Sequence, residues 1–272
     1  MKSAEKSQST PTNLLVYALS DVGNVRDNNE DSFLVVDTLS EEGFELPTIR
    51  EYPLDNTCLV LMVSDGMGGA AAGEIASALA VRTIAEEMSG SPLPGRDQIE
   101  QKLTESLHKA NRVIAEQSIK QPELQGMGST ATTAAILTNE VFIAQVGDSR
   151  AYLIHENNIT QLTTDQSLVN QLVEAGKITE EEAATHPRRN VILQALGNQH
   201  ELDVVITRCS VQAGDYLLLC SDGLTGQATK EEIKEIVLKS TDLQEACRTM
   251  VALVNQRGGH DNITVILAKF GT

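Results

Sequence analysis

Apolar and polar positions alternate along this chain in two different rhythms, arranged in blocks. Runs rich in branched apolar residues and bounded by turn formers occupy 14 to 19 (LLVYAL), 32 to 37 (SFLVVD) and 59 to 64 (LVLMVS), and predict strands. The stretch between the second and third, residues 40 to 56 (SEEGFELPTIREYPLDN), is acidic, holds two prolines and predicts a long hairpin loop. The rhythm then changes. Ile75, Leu79 and Ile84 with several alanines, and later Ile99, Leu103, Leu107, Ala110 and Ile114, recur at helical spacing, so two amphipathic helices are expected over 70 to 88 and 97 to 118. The segment SGSPLPG breaks them apart.

Strands return at 131 to 138 (ATTAAILT), 141 to 147 (VFIAQVG) and 150 to 155 (RAYLIH), with Asn139 and Glu140 as the tight turn between the first two. Residues 166 to 185 read as a helix that HPRRN ends, followed by strands at 203 to 207 and 215 to 220. Helices near 230 to 239 and 242 to 256 and a last strand at 263 to 269 complete the pattern. Strand blocks alternating with helix pairs predict an α+β fold of sheets packed face to face and covered by helices, rather than a parallel doubly wound sheet. No linker interrupts the chain after residue 13, so a disordered tail over 1 to 13 and one domain over 14 to 272 are expected.

Charge narrows the partners. Against 38 Asp and Glu stand 21 Lys and Arg, a net charge of -17 that is a poor match for a phosphate backbone, so nucleic acid is not an expected partner. The first dozen residues lack the apolar core of a signal peptide and no run approaches a membrane span, which excludes a membrane anchor at this level of reading. Cys58, Cys209, Cys220 and Cys247 form no C-x-x-C pair and lie in or beside apolar segments, so a reduced, cytoplasmic setting is expected.

Candidate chemistry sits at strand ends. LVLMVSDGMGG (59 to 69) and DYLLLCSDGLTG (215 to 226) are apolar strands that each deliver Ser-Asp-Gly. Another ends on Val146, Gly147 and Asp148, and Gly258, Gly259, His260, Asp261 and Asn262 precede the last strand. Asp-Gly after a strand is also ordinary turn chemistry, and the separation of Asp65, Asp148, Asp222 and Asp261 along the chain leaves their convergence open. If they do meet, their repulsion requires a compensating cation, and an all-oxygen donor set without a His or Cys pattern suits Mg²⁺ or Mn²⁺. In SDVGNVRDNNEDSF, Arg26 precedes Glu30 and Asp31. It reads either as part of a solvated surface turn or as a planar fork for two phosphate oxygens.

Taken in order, SDVGNVRDNNEDSF, VSDGMGG, GMGSTATTAAI, VGDSRAYLI, LTTDQSLV, HPRRNVILQALG, LLLCSDGLT and GGHDNITVI resemble the metal-dependent type 2C serine/threonine protein phosphatases in their compact bacterial form, from about residue 14 to the C-terminus. The resemblance implies a four-layer α-β-β-α sandwich, two packed and mainly antiparallel sheets flanked by helix pairs, with the metal centre at one end. It implies hydrolysis of phosphoserine or phosphothreonine in proteins, with two Mg²⁺ or Mn²⁺ ions activating a water for direct attack.

Position by position, Asp65 would bridge the ions, Gly66 would offer its carbonyl to the second, and Asp222 and Asp261 would complete the first site. Glu30 and Asp31 would serve the second ion, Asp148 a third and weaker one, Arg26 the substrate phosphate, and Asn262 would orient the site. The glycines after Asp65 would leave room for metals and their waters.

Departures are specific. Met67 stands where some relatives carry a His proposed as general acid, Gly226 where many carry an acid, and the 40 to 56 loop is longer than in the most compact relatives. The flap of the family corresponds to about 166 to 190, where His186, Arg188 and Arg189 are candidates for contact with a phosphorylated peptide. The expected partners are phosphoproteins made by a Ser/Thr kinase, and a monomer is expected. A small-ester metal phosphohydrolase and a non-catalytic phosphoprotein-binding module are the alternatives. The presence of Asp65, Asp222 and Asp261 together weighs against the latter.

Overall fold

The structure, a computed structural model, describes residues 9–38, 48–55, 57–69, 72–89, 96–198 and 201–272. One sheet has the order β3-β1-β12-β11-β8-β9, built from β1 (Asn13–Asp21), β3 (Arg50–Pro53), β8 (Arg150–His155), β9 (Asn158–Gln161), β11 (Tyr216–Cys220) and β12 (Ile263–Gly271). The other has the order β10-β7-β6-β4-β2, with β2 (Asp31–Asp37), β4 (Leu59–Met67), β6 (Ala131–Leu137), β7 (Glu140–Val146) and β10 (Val205–Ser210), while the short β5 (Gly128–Ser129) pairs with β4. The pairings are antiparallel.

Strand β4 shows why its sequence is apolar without alternation. Leu59, Leu61 and Val63 face the other sheet, meeting Leu217, Leu219, Ile266 and Phe270. Val60 and Met62 point the opposite way, into a core with α1 (Ala72–Met88) and α2 (Arg96–Lys120). A strand covered on both faces must be apolar at every position. The second helix pair, α6 (Lys230–Lys239) and α7 (Leu243–Gln256), covers the outer face of the first sheet through Ile233, Met250 and Val254 against Leu218, Val265 and Leu267. The layers are therefore α-β-β-α, as expected.

Several boundaries differ from the sequence reading. Residues 9 to 13 are not a disordered tail: Ala213 N donates to Ser9 O, and Asn13 already pairs with Gly271; residues 1 to 8 lie outside the described residues. The 40 to 56 stretch is not all loop, because β3 adds an edge strand to β1 with Asn13 opposite Pro53, where a missing N–H costs no ladder bond; its first part, to residue 47, and residue 56 lie outside the described residues. The SGSPLPG breaker lies outside them too, apart from Ser89. The β6–β7 turn is Thr138 and Asn139, one residue earlier than expected, since Glu140 is drawn into β7 and its buried carboxylate is paired by Arg208 and Arg96.

In the first half of α1 the buried face is Ala72, Gly73, Ala76, Ser77 and Ala80, with Ile75 and Leu79 only partly buried at its edge, so small side chains let that half lie close to β4; Thr83, Ile84 and Met88 continue the buried face in the second half. The helix expected over 166 to 185 is two, α3 (Leu168–Glu174) and α4 (Glu180–Ala184), divided at Gly176 with φ +65°. Thr179 and Glu182 form a capping box that starts the second, a signature present in the sequence.

Truncating Leu61, fully buried between the sheets, should leave the fold intact but lower its unfolding free energy by about 2–5 kcal/mol, read as a lower denaturant midpoint.

Candidate active site

The strand-end acids meet. Antiparallel pairing puts the end of β4 beside the start of β2, with Asp65 directly opposite Asp31. The end of β7 delivers Asp148, the end of β11 delivers Asp222, and Asp261 precedes β12. All lie at the same end of the sandwich. Asp222 is not in a turn, however: it opens the four-residue α5 (Asp222–Thr225). A cavity of about 440 Å³ there is lined by Arg26, Glu30, Asp65, Gly66, Asp148, Asp222 and Asp261, with Val25, Met67 and Ile192 as apolar parts of its wall.

Burial raises the pKa values of Glu30, Asp31, Asp65, Asp148 and Asp222, and repulsion from neighbouring carboxylates raises them further. Asp31 is pushed up to about 7 by burial, with bonds from Thr264 and Ser221 opposing and Asp222 and Asp261 adding to the rise. Asp148 is pushed up to about 8 by burial and then by Asp222 and Asp165, while Asp65 is raised strongly by burial and by Asp31, Asp222 and Asp148. Asp222 is raised by burial and by Asp261, and Glu30 is raised more mildly, chiefly by burial. Asp31 Oδ2 accepts a bond from Ser221 Oγ at 2.8 Å, but its buried Oδ1 has no hydrogen-bond partner. A set of oxygen donors that repel one another, one of them buried and unpartnered, fits a hard divalent cation.

The scaffold beneath is neutral and fully bonded. Asp65 N donates to Thr130 Oγ1 at 2.9 Å, Ser129 Oγ donates to Asp65 O at 2.8 Å, and Thr130 Oγ1 meets Ser149 Oγ at 2.8 Å. Buried Asn262 accepts from Glu30 N at 2.8 Å and donates to Val22 O and Asn28 O, each at 2.9 Å, so it ties the N-terminal turn to the start of β12. Arg26, about half exposed, is bonded from Nη2 to Asp261 Oδ2 at 2.9 Å, and that bond leads the causes that raise its pKa.

Packing gives the first of the glycines a reason of its own. A Cβ on Gly66 would lie 2.0 Å from Gly73 O and 2.7 Å from Glu30 O, and one on Gly73 would lie 2.5 Å from Glu30 Oε2. Gly66 is thus required by the close approach of backbone from α1 and from the N-terminal turn. Gly68, at φ +122°, needs glycine for its backbone conformation.

The flap's arginines do not line the cavity. Arg188 and Arg189 are exposed, and His186 accepts from Arg188 N at 3.1 Å in a local turn; the cavity wall is met instead by Asn190, at the end of the flap, and by Ile192, just beyond it. An element missed in the sequence stands behind them: largely buried Arg150 makes a bidentate pair with Asp165, Nε to Oδ1 at 2.9 Å and Nη2 to Oδ2 at 2.6 Å, and donates to Tyr152 at 3.1 Å. Arg in a strand followed by an Asp fifteen positions later carries no local signal, so only the tertiary structure shows the pair.

A family model described as Protein phosphatase 2C matches residues 52–268. The chain belongs to the protein phosphatase 2C family. Over 251 residues it is 36% identical to the serine/threonine phosphatase stp of Listeria welshimeri, covering 92% of this chain and 93% of that one. The serine/threonine phosphatase of S. agalactiae superposes with a TM-score of 0.84 at 32% identity, covering 94% of this phosphatase and 99% of its neighbour. The catalytic domain of the serine/threonine protein phosphatase PstP, solved in complex with two manganese ions, has a TM-score of 0.79 at 36% identity, covering 96% and 100% of the two chains. This phosphatase is accordingly a serine/threonine protein phosphatase, acting on phosphorylated serine or threonine in proteins.

Because Asp31 and Asp148 have folded-state pKa values above the ordinary carboxylate range, the folded state binds more protons than the unfolded one. Their favourable contribution is full below the unfolded pKa and is lost as pH rises through about 7 to 8. Melting of the chelator-treated phosphatase should therefore move to lower temperature as pH is raised from 6 to 8.5, with a shallower slope in Asp31→Asn. Added Mn²⁺ should flatten the profile.

Proposed function

We propose that the cavity at the sandwich end is the catalytic centre for phosphoprotein hydrolysis and holds two Mg²⁺ or Mn²⁺ ions. The single observation that carries this reading is the convergence of Asp31, Asp65, Asp148, Asp222 and Asp261, whose repulsion is offset among the described residues by the partial effects of Arg26 and Arg150 and, at Asp31, by bonds from Thr264 and Ser221. In this reading Asp65 would serve both ions, with Gly66 O offered to the second. Asp222 and Asp261 would hold the first, and Glu30 and Asp31 would serve the second. Among the described residues no three His, Cys, Asp or Glu side chains form a finished cage, so water and substrate would complete the coordination, as is usual for Mg²⁺. When bound, such ions supply Lewis acidity towards the phosphoryl oxygens and lower the pKa of water.

The protein's own residues do the rest. Arg26, at the rim, offers a planar fork to two phosphate oxygens, and a phosphate there competes with its present partner Asp261. Asn262 holds Glu30 and the turn that carries Arg26 in register with Asp261. Met67 lines the cavity without a proton to give, and His186 is not part of that wall, so the leaving alcohol takes its proton from water. Asp148 is the candidate for a third, weaker ion, with Gly226 in place of the acid found in many relatives. Arg188 and Arg189, exposed beyond the wall, suit contact with the peptide around the phosphorylated residue rather than with the phosphate.

The phosphoprotein substrates would be products of a Ser/Thr kinase. A cytoplasmic setting is supported by four free cysteines, three of them buried, and by the lack, among the described residues, of a helix long and apolar enough to cross a membrane. We read the chain as a monomer, a single domain from about residue 9, with a flap at about 166 to 190.

Asp222→Ala should lose at least about 100-fold in kcat/KM on both an aryl phosphate and a phosphothreonine peptide, the scale of losing an electrostatic element of a catalytic site. Turnover by the native protein should require Mn²⁺ or Mg²⁺; full activity in chelator, or in the variant, would remove the assignment. The double variant Arg188→Ala with Arg189→Ala should raise KM for the peptide and leave aryl phosphate hydrolysis within about twofold, exposed charge contacts being individually weak.

A further inference from the structure

The flap is joined to the body at a neck formed by residues 166 to 168 and 191 to 193. Leu168 N donates to Val191 O at 2.8 Å, and Ser167 and Ile192 form a bridge. Gln166 stands at the base of this neck and uses every polar group it has. Its backbone N donates to Gly147 O at 3.0 Å, and its backbone O accepts from Leu193 N at 2.7 Å. Its side-chain Oε1 accepts from Gly147 N at 2.7 Å and its Nε2 donates to Asp203 O at 2.8 Å. One residue thus binds both strands of the neck, the turn that carries Asp148, and the chain that leads into β10.

The turn it grips is itself held tightly. Gly147 has φ +100°, and a Cβ there would lie 2.7 Å from Thr130 Cγ2, within the network that supports Asp65. Gln145 Nε2 donates to Gly147 O at 3.1 Å and its Oε1 accepts from Thr164 N at 3.1 Å. The Gly147 turn therefore has no freedom to follow a moving flap; the flap must follow the turn.

We propose that Gln166 is a positioning residue for dephosphorylation, a clamp that fixes Asn190 and Ile192 against the cavity by fastening both strands of the flap neck to the Gly147–Asp148 turn. The clamp rests on the reading of the flap as the peptide-facing wall of the active site. It touches neither phosphate nor reacting atoms, so its loss falls on substrates large enough to meet the flap. Backbone bonds at 147 and 193 do not depend on the side chain; the amide group adds the two bonds that tie the neck to Gly147 N and Asp203 O.

The test combines Gln166→Met, which keeps the side chain's length and loses both amide bonds, with Gln166→Ala and Gln166→Glu, the last retaining an acceptor for Gly147 N. Limited trypsin digestion in chelator reads cleavage after Lys177, Arg188 and Arg189 within the flap, without any contribution from activity. Cleavage should be at least about tenfold faster in the Met and Ala variants, the scale of two net hydrogen bonds, and intermediate in Glu, with the global melting temperature shifted by no more than a few degrees. In steady state the Met variant should raise KM for a phosphothreonine peptide severalfold while kcat on an aryl phosphate stays within twofold. Unchanged flap cleavage in Gln166→Met overturns the clamp. Faster cleavage with equal losses on both substrates keeps the clamp as a tether but overturns its role in peptide recognition, and with it the peptide-facing reading of the flap. That result leaves the metal-centre assignment, tested by Asp222→Ala, untouched.

Discussion

The repulsion among carboxylates held at one end of two packed sheets is the constraint under which the rest of the site is built. Asp31, Asp65, Asp148 and Asp222 all have pKa values raised by burial and by one another. Left to themselves, such groups would take up protons or move apart. They cannot move apart, because they are anchored by strands that are mostly buried: Asp65 by β4, Asp222 by β11 through Leu217 and Leu219, and Asp261 by β12. The apolar sandwich thus supplies the force that holds like charges together. The charges in turn create a site where a divalent cation is the natural counterion.

The surrounding bonds divide into two kinds. Neutral hydroxyl and amide groups, namely Thr130, Ser129, Ser149, Ser221 and Asn262, fix backbone and carboxylate positions without cancelling charge. The cations stay at the edge. Arg26 reaches Asp261 from the rim, and Arg150 is committed to Asp165, whose bonds outweigh the effect of burial and hold the guanidinium charged. This distribution preserves the negative potential of the cavity floor while placing the positive charge of Arg26 at its rim. A fully neutralised cluster would be more stable and would have no use for a metal.

Rigidity is distributed in the same way. The floor is made of strand ends and of glycines packed against backbone, as Gly66 is against Gly73 and Glu30. The flap, by contrast, is two short helices with no buried residue, joined to the body through a narrow neck. Chemistry that needs fixed carboxylates and a substrate that must enter and leave are thereby given to different parts of the chain.

Much of this was legible in the residues. Uninterrupted apolar runs at 59 to 64 and 215 to 220 marked strands covered on both faces, and helical spacing located α1, α2, α6 and α7. The eight ordered motifs carried the family and pointed to Asp65, Asp222 and Asp261. Legibility failed where a feature depends on distant partners or weak local signals. The edge strand β3 is held by pairing with β1, and the start of β7 by Glu140's partners Arg208 and Arg96. Helix α3 ends at Glu174, just before Gly176 at φ +65°, where a lone glycine in a helical pattern is only a weak stop signal.

The sequence by itself determined where the central strands lie, that several end on an acid, and which family they serve, because these follow from side-chain size, branching and turn chemistry along a few consecutive residues. Only the tertiary structure decided that the acids meet. Strand register places Asp31 opposite Asp65, and sheet order brings Asp148, Asp222 and Asp261 to the same end. It also decided that Gly66 serves backbone packing, that Asn190 and Ile192 rather than Arg188 and Arg189 form the cavity wall, and that Gln166 grips the Asp148 turn. Each of these depends on which distant surfaces the buried core presses together, and spacing along the chain does not carry that information.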